Sequence, residues 1–443
     1  MLDQCRPVRA NRYPGQVSTD RQVFTTMLRT RNDPFLVMAG LYLVIGLFAT
    51  VGTLGVEAGV IDVLPRLRWL TIHFVTIGGM TQALFGVLPA LAGSRREDTT
   101  DATVRNRWLQ WLSLNAGYPL ILIGMATGTT IVAVVGASLV LGALAGLLAT
   151  VYRSKDPAVD GRFYFRTAPW FLVVGILAAF GMLLNVHGPG GYFGTVEAHV
   201  HANVWGFLAL VAAGALFTVL PRLFGADLRY PRLRRVTYWG ITAGAVGLVA
   251  GPWLARHELT MLGLVVYVVG TAALLANVIG TYRVGERAQP ERFALILGAY
   301  LWLAFPVPWA PLVLLFPETV PATAIEIAAI DGLVFGWMLQ LAMAFLPIVA
   351  VGAKSDRAGF AARTTAASET VRTPSWLQIA SVNLGMLALW LTAILPVGGT
   401  VDSLSLVGYL LVAVAWGFFA VDLWTALTTP STSTAGTSEI PSE

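Results

Sequence analysis

The sequence predicts an all-α membrane protein of about twelve transmembrane helices, arranged as three pseudo-repeats of four helices. Three observations predict it: the composition, the regular recurrence of long apolar stretches, and a motif that occurs three times. Of 443 residues, 56% are hydrophobic and only 12% are charged, and the mean hydropathy is +0.70. So little charge cannot cover a water-facing surface of this size, and most of the surface must therefore face lipid.

Apolar stretches long enough to cross about 30 Å of hydrocarbon recur along the whole chain. Several connections between them are so short that neighbouring spans must be antiparallel. The predicted spans are residues 34–55, 68–92, 109–127, 129–152, 167–187, 198–221, 236–254, 259–282, 293–316, 325–351, 376–396 and 402–427. The predicted organisation is a polar tail (1–33), repeat 1 (34–153), repeat 2 (154–285), repeat 3 (286–428) and a disordered tail (429–443).

The distribution of basic residues predicts the orientation. With the N-terminus in the cytoplasm, all but three of the 29 Lys and Arg residues lie in the tail or in the loops that follow even-numbered spans. The three exceptions are Arg66, Arg68 and Arg256. Because cytoplasmic loops are enriched in Lys and Arg, we expect a multi-pass protein of the plasma membrane with both termini in the cytoplasm.

One motif occurs in the second, sixth and tenth spans. It reads HFVTIGGMTQALFGVLP from His73, HANVWGFLALVAAGALFTVLP from His201 and DGLVFGWMLQLAMAFLP from Asp331. Each copy has a glycine five residues after its first residue, and each ends in Leu-Pro, where proline can mark a helix end. A second match, WLQ followed by serine, asparagine and glycine, links residues 108–117 with 376–385. This periodicity predicts the three four-helix units, in which glycine allows close helix packing.

Ionisable residues inside a membrane are costly and usually line a site, and here they lie at one level. His73, His201 and Asp331 begin equivalent spans on the predicted outer side, with Glu197 and His199 nearby. Glu326 also lies at this level, while His187 and His257 are interpreted as wetted interfacial residues. Asp331 has three interpretations: a metal ligand, a partner to His73 or His201, or the remnant of a lost histidine.

Helical geometry limits which of these side chains can cooperate. Glu197 and His201 are four residues apart, so they share a helix face and the carboxylate could orient the imidazole. His199 and His201 are two apart, which places them about 200° apart around a helix. Both can face one centre only if the helix has not begun by His199. The preceding HGPGGYFG leaves that open.

These features resemble the haem-copper oxidase subunit I family. The topology, the HxHxNxxG motif at His199–Gly206 and the H-x4-G…LP motif at His73 are similar to its divergent members, including NnrS-like proteins and nitric-oxide-reductase-like homologues. The resemblance implies that His73 is a haem ligand and that His201, together with His199, is a copper ligand. It also implies metals on the outer side, accompanied by other membrane subunits or an electron donor.

The chain also departs from that family. The tenth span contains no histidine, with Asp331 at the repeat-equivalent position, and the seventh span lacks the copper-binding histidine pair. Trp205 stands where the family has a tyrosine. A complete oxygen-reducing dinuclear centre cannot be assembled from these residues, so we do not expect a proton-pumping oxidase.

Three functions follow as hypotheses. The first is a haem-binding protein with His73 as its one protein ligand, acting on or sensing nitric oxide or oxygen, in which case an enzyme would be an oxidoreductase. The second is a non-haem copper, zinc or iron site or conduit, made by His73, His199 and His201 with Glu197 or Asp331. The third is a transporter or cofactor-free scaffold. The single cysteine, Cys5, excludes an internal disulfide, and no motif for a nucleic-acid partner occurs.

Overall fold

The computed structural model describes residues 33–93, 101–153, 161–316, 318–355, 359–395 and 400–429. In these ranges the chain forms helices joined by turns, with no strand, and the predicted all-α class is confirmed. The predicted tails lie outside the described residues, apart from Asp33 and Thr429. The helices are α1 (Pro34–Glu57), α2 (Leu67–Leu91), α3 (Asp101–Thr127), α4 (Thr130–Arg153), α5 (Arg162–Leu183), α6 (Gly191–Phe224), α7 (Leu233–Trp253), α8 (His257–Val284), α9 (Pro290–Ala304 and Trp309–Leu315), α10 (Ala322–Gly352), α11 (Phe360–Thr370), α12 (Trp376–Ile394) and α13 (Thr400–Thr428).

Ten helices of the described chain are long and apolar enough to cross a membrane, which confirms a multi-pass membrane protein. The two other long helices, α3 and α7, are 27 and 21 residues long and begin in arginine-rich turns. They pack along α4 and α8, respectively. The full number of twelve spans therefore stays a prediction.

The most buried helices are α2, α6 and α10, and all three contain the same irregularity. In each, the backbone leaves the α-helical pattern for a π-helical stretch directly after the first motif residue. These stretches are Phe74–Thr81, Ala202–Leu208 and Gly332–Met338. A π-helical stretch inserts a residue into the helix and often lies at a functional site.

Each π-helical stretch contains the motif glycine, and each of these glycines packs against an aromatic side chain of the preceding membrane helix. A Cβ at Gly78 would lie 2.6 Å from Cβ of Tyr42, and one at Gly206 would lie 2.4 Å from the ring of Phe171. At Gly336 it would lie 2.5 Å from Cβ of Trp302. Only glycine permits this close approach, so the same helix contact is built three times.

The end of the bundle where α2, α6 and α10 begin is called here the histidine end, and the other the proline end. The motif prolines do not stop the helices, in contrast to what the sequence indicated, since α2, α6 and α10 continue past them to Leu91, Phe224 and Gly352. A proline near the last turn removes one backbone hydrogen bond without closing off the turns that follow. Between the proline-end halves of these helices lies an apolar cavity of about 120 Å³.

The proline end of α13 is held by a lysine from the end of α10. The amine Nζ of Lys354 donates to the carbonyl oxygens of Ala426, Leu427 and Thr429 at 3.0, 2.8 and 2.6 Å. These carbonyls lack partners within α13, and a cation is favourable at a helix C-terminus. Burial lowers the pKa of Lys354.

Candidate metal and cofactor site

His73 closes the first part of α2, Leu67–His73, immediately before its π-helical stretch. Its Nδ1 lies 2.8 Å from the carbonyl oxygen of Trp69, and its ring stacks on the Trp69 indole at 3.9 Å between centroids. A carbonyl oxygen only accepts hydrogen bonds, so Nδ1 carries the proton and Nε2 keeps its lone pair. Metal-ligating histidines are oriented in this way.

His199 has the same arrangement on α6. Its Nδ1 lies 2.8 Å from the carbonyl oxygen of Gly175 in α5, and the Asn203 amide nitrogen lies 3.3 Å from the same ring nitrogen. The carbonyl contact places the proton on Nδ1, and the Asn203 amide nitrogen also lies 3.4 Å from Nε2, so that amide would have to turn away before Nε2 could bind a metal. The structure thus brings two imidazoles, from α2 and α6, to the histidine end.

His201 and Glu197 share a face of α6, as their spacing predicted. The separation between His201 Nδ1 and Glu197 Oε2 is 3.7 Å, which is longer than a hydrogen bond. His201 Nδ1 is enclosed and has no hydrogen-bond partner, and its ring lies 6.2 Å from that of Trp205. The carboxylate is therefore beside the imidazole but does not fix its orientation.

His199 and His201 do not face one centre. Helix α6 begins at Gly191, so both residues are already helical, and their side chains diverge by about 200°. His199 turns to α5, whereas His201 turns towards Glu197 and Trp205. The helix begins inside the glycine- and proline-rich segment, at Gly191, which is eight residues before His199.

Asp331 is enclosed at the start of the third motif copy, in α10, and its partners come from α2 and α13. Arg68 Nη2 lies 2.8 Å from Asp331 Oδ1 and also donates to the carbonyl oxygen of Ile327. The Tyr409 hydroxyl donates to Asp331 Oδ2 at 3.2 Å. Asp331 is thus bound by an arginine and a tyrosine rather than by His73 or His201. Sequence reasoning missed both partners, although Arg68 was one of three arginines outside the basic loops.

The remaining polar residues of this end do not add to the two imidazoles. Glu326 is exposed, and both Glu197 and Arg68 lie within electrostatic range of it. His187 Nε2 lies 2.9 Å from the amide oxygen of Asn185 in the connecting loop. Among the residues that the structure describes, no three His, Cys, Asp or Glu side chains are placed to hold a metal ion together. The three histidines of the predicted non-haem site therefore do not meet at one point.

The space beside His73 decides whether a haem fits. Between α1, α2, α10 and α13 it is filled by the side chains of Phe74, Phe335 and Trp416. A Cβ at Gly46 would lie 2.9 Å from the Trp416 ring and 3.3 Å from Phe74 Cβ. The donor atoms of His73 and His199 fit a metal with imidazole ligands, whereas the packing next to His73 does not fit a planar macrocycle unless these aromatic side chains move.

Aromatic side chains also fill the space between α6, α8, α9 and α10. Trp205 meets Tyr267 edge-to-face at 5.0 Å, and Tyr267, Tyr300 and Trp337 are each at most 3% exposed.

Comparison with known proteins gives a distant and partial relationship. No family model matches the chain. An alignment over 95 residues, which covers 19% of the chain, is 35% identical to "Cbb3-type cytochrome c oxidase subunit CcoN1" from Stutzerimonas stutzeri. The chain spans about a fifth of the length of that curated relative, 20%. The similarity to a member of the haem-copper oxidase subunit I family is thus weak and limited to part of the chain.

Proposed function

We propose that this chain is a divergent membrane protein on a haem-copper oxidase subunit I-like scaffold that binds haem or copper through His73 and His199. The observation that carries the proposal is that both imidazoles donate Nδ1–H to a backbone carbonyl at 2.8 Å, which leaves Nε2 as the ring nitrogen for a metal once the Asn203 amide turns away from His199. Hydrogen bonds of this kind fix the tautomer and the orientation of metal-binding histidines. The partial similarity to a cytochrome oxidase subunit supports the same reading.

The proposed scaffold is twelve spans in three four-helix repeats. The three π-helical stretches and the three glycine–aromatic contacts support it, because they recur at equivalent motif positions. Arginine placement supports an orientation with cytoplasmic termini, which would place the histidine end towards the outer leaflet of the plasma membrane.

The two candidate groups make different demands on the protein. A copper ion would need only the two Nε2 atoms and further small ligands, and Phe74, Phe335 and Trp416 could stay in place. A haem on His73 would require those side chains to open a space. Either group would supply one-electron chemistry and a site for nitric oxide or oxygen. The protein would keep the His73 and His199 imidazoles neutral, each with its proton on Nδ1.

The proposed activity excludes oxygen reduction of the proton-pumping kind. Asp331 is occupied by Arg68 and Tyr409, and the seventh span supplies no histidine. Glu197 and His201 stay in the proposal as neighbours of the site.

A cofactor-free scaffold is the second candidate, and one observation favours it. Both spaces in which the related family would hold its groups are filled by buried aromatic side chains around Trp416 and Tyr267. In such a protein the histidines would serve helix packing alone.

The deciding experiment is the visible spectrum of the purified protein, oxidised and reduced, with metal analysis of the same sample. We expect haem or copper in the wild type, and loss or a spectral shift in both His73→Ala and His199→Ala. The matched control is His257→Ala, an exposed histidine at the start of α8, which should change neither. Absence of both groups after expression with ample haem and copper would refute the proposal and leave the scaffold.

A further inference from the structure

An unpartnered arginine is buried at the proline end, far from the histidines. Arg292 is the third residue of α9 and is 1% exposed. Two of its guanidinium nitrogens, Nε and Nη2, are enclosed and have no hydrogen-bond partner. Burying a cation without its hydrogen bonds is costly. We therefore expect the Arg292 guanidinium to have an acceptor that does not come from the protein.

The two nitrogens without partners are adjacent on the guanidinium. Nε–H and one N–H of Nη2 point in parallel along one edge of the plane. This edge binds two oxygens of a carboxylate or phosphate at once, which gives strong charge-assisted hydrogen bonds. The missing acceptor therefore has the chemistry of an oxyanion.

No carboxylate of the described residues forms an ion pair with the Arg292 guanidinium. Asp422 of α13 and Glu291 lie within electrostatic range of Arg292, but no ion pair joins them to it among the described residues. Oδ1 of Asp422 lies 3.9 Å from Nη1 of Arg372, with which it forms an ion pair. Arg292 and Arg372 thus both lie near the Asp422 carboxylate, which is paired with Arg372 only, and the N-terminus of α9 adds a partial positive charge.

We propose that Arg292 binds a phosphate group, from either an anionic lipid headgroup or free phosphate, at the proline end of α9. The position suits a headgroup because Arg292 lies in the first turn of a helix apolar enough to cross the membrane. The site does not depend on the proposed metal function, since it is at the opposite end of the bundle. Asp422 competes with the ligand for the guanidinium.

The test is ligand-dependent thermal unfolding of the full-length protein, purified in detergent and freed of lipid, followed by tryptophan fluorescence. Phosphatidylglycerol, phosphatidylcholine and inorganic phosphate are titrated separately. A midpoint rise with phosphatidylglycerol but not with phosphatidylcholine identifies a lipid headgroup, and a rise with inorganic phosphate alone identifies the free anion. No rise with either anionic probe overturns the proposal.

Variants tie any effect to the arginine. Arg292→Gln should need about tenfold or more of the same probe for an equal rise, and Arg292→Lys should be intermediate because it keeps charge without the paired edge. Asp422→Asn should bind more tightly, since it removes the competing carboxylate. The control is Arg287→Gln, an exposed arginine paired with Glu369 at 3.3 Å, which should bind as the wild type does.

These variants keep the proposal falsifiable even if Arg292→Gln fails to fold. Weaker binding by Asp422→Asn would show that Asp422 belongs to the site instead of competing for it, which overturns the proposal. An equal loss in Arg287→Gln and the Arg292 variants would mean general surface attraction, and would overturn it as well.

Discussion

Replacing Asp331 with asparagine should destabilise the protein without removing a bound metal. The change keeps the shape of the side chain but takes the counter-charge from Arg68, whose Nη2 lies 2.8 Å from the carboxylate. The Tyr409 hydroxyl can still donate to the amide oxygen, so that bond is weakened rather than lost.

The size of the effect follows from the exposure of the two partners. Removing one partner of a fully buried ion pair costs about 3–5 kcal/mol. Here the Asp331 side chain is 4% exposed, but that of Arg68 is 38% exposed, so water solvates part of the unpaired guanidinium. We therefore expect a loss of about 2–3 kcal/mol in the free energy of unfolding for Asp331→Asn.

The assay is equilibrium unfolding in mixed micelles of a mild detergent and dodecyl sulfate, followed by tryptophan fluorescence. Arg68→Gln combined with Asp331→Asn should cost less than the sum of the single changes, with a coupling of about 1–2 kcal/mol. Glu57→Gln is the control, because the exposed Glu57 carboxylate accepts from the Ser405 hydroxyl at 3.1 Å and takes no part in the ion pair between Arg68 and Asp331. It should change stability by less than about 0.5 kcal/mol.

One result would refute this reasoning. If Asp331→Asn unfolds like the wild type, shows no coupling to Arg68→Gln and loses haem or copper, then Asp331 is a ligand. The arginine contact would in that case not be the role of the carboxylate.

Three further predictions concern other parts of the bundle. Ala215 lines the central cavity of about 120 Å³, so Ala215→Leu should raise unfolding stability by about 1 kcal/mol. Ala213 is fully packed, and Ala213→Leu should lower it by about 1–3 kcal/mol in the same assay; equal effects would mean that the cavity is not there. Lys354→Met should cost about 1–3 kcal/mol because three carbonyls at the end of α13 lose their donor, and an unchanged stability would show that water replaces it. Gly175→Ala would place a Cβ 2.2 Å from Asn203 Oδ1, so it should displace that amide and lower metal or haem content measured per protein; full retention would argue against a role for this position.

The helical bundle could be predicted from the sequence because its signals are local. A stretch of apolar residues long enough to cross lipid forms a helix whatever its neighbours are, since the backbone must satisfy its own hydrogen bonds there. The motif glycines likewise predicted close contacts, and Gly78, Gly206 and Gly336 each meet an aromatic ring. The helix ends were harder to predict, because a proline in the last turns is tolerated.

The candidate site could be predicted only in part. The histidines were visible as intramembrane ionisable residues, and the shared face of Glu197 and His201 follows from helical spacing. The start of α6 at Gly191 was not predictable, since a glycine- and proline-rich segment is compatible with both a loop and a helix start. That start decides that His199 and His201 diverge.

The sequence by itself determined a multi-pass helical membrane protein, and it predicted that the ionisable side chains of its spans lie at one level. Only the tertiary structure decided their partners: Asp331 meets Arg68 from 263 positions away and Tyr409 from 78 away, and His199 meets a carbonyl of another helix. The physical reason is that hydropathy acts along the chain, residue by residue. Hydrogen bonds and ion pairs act over a few ångströms, so they form only after packing has brought distant helices together.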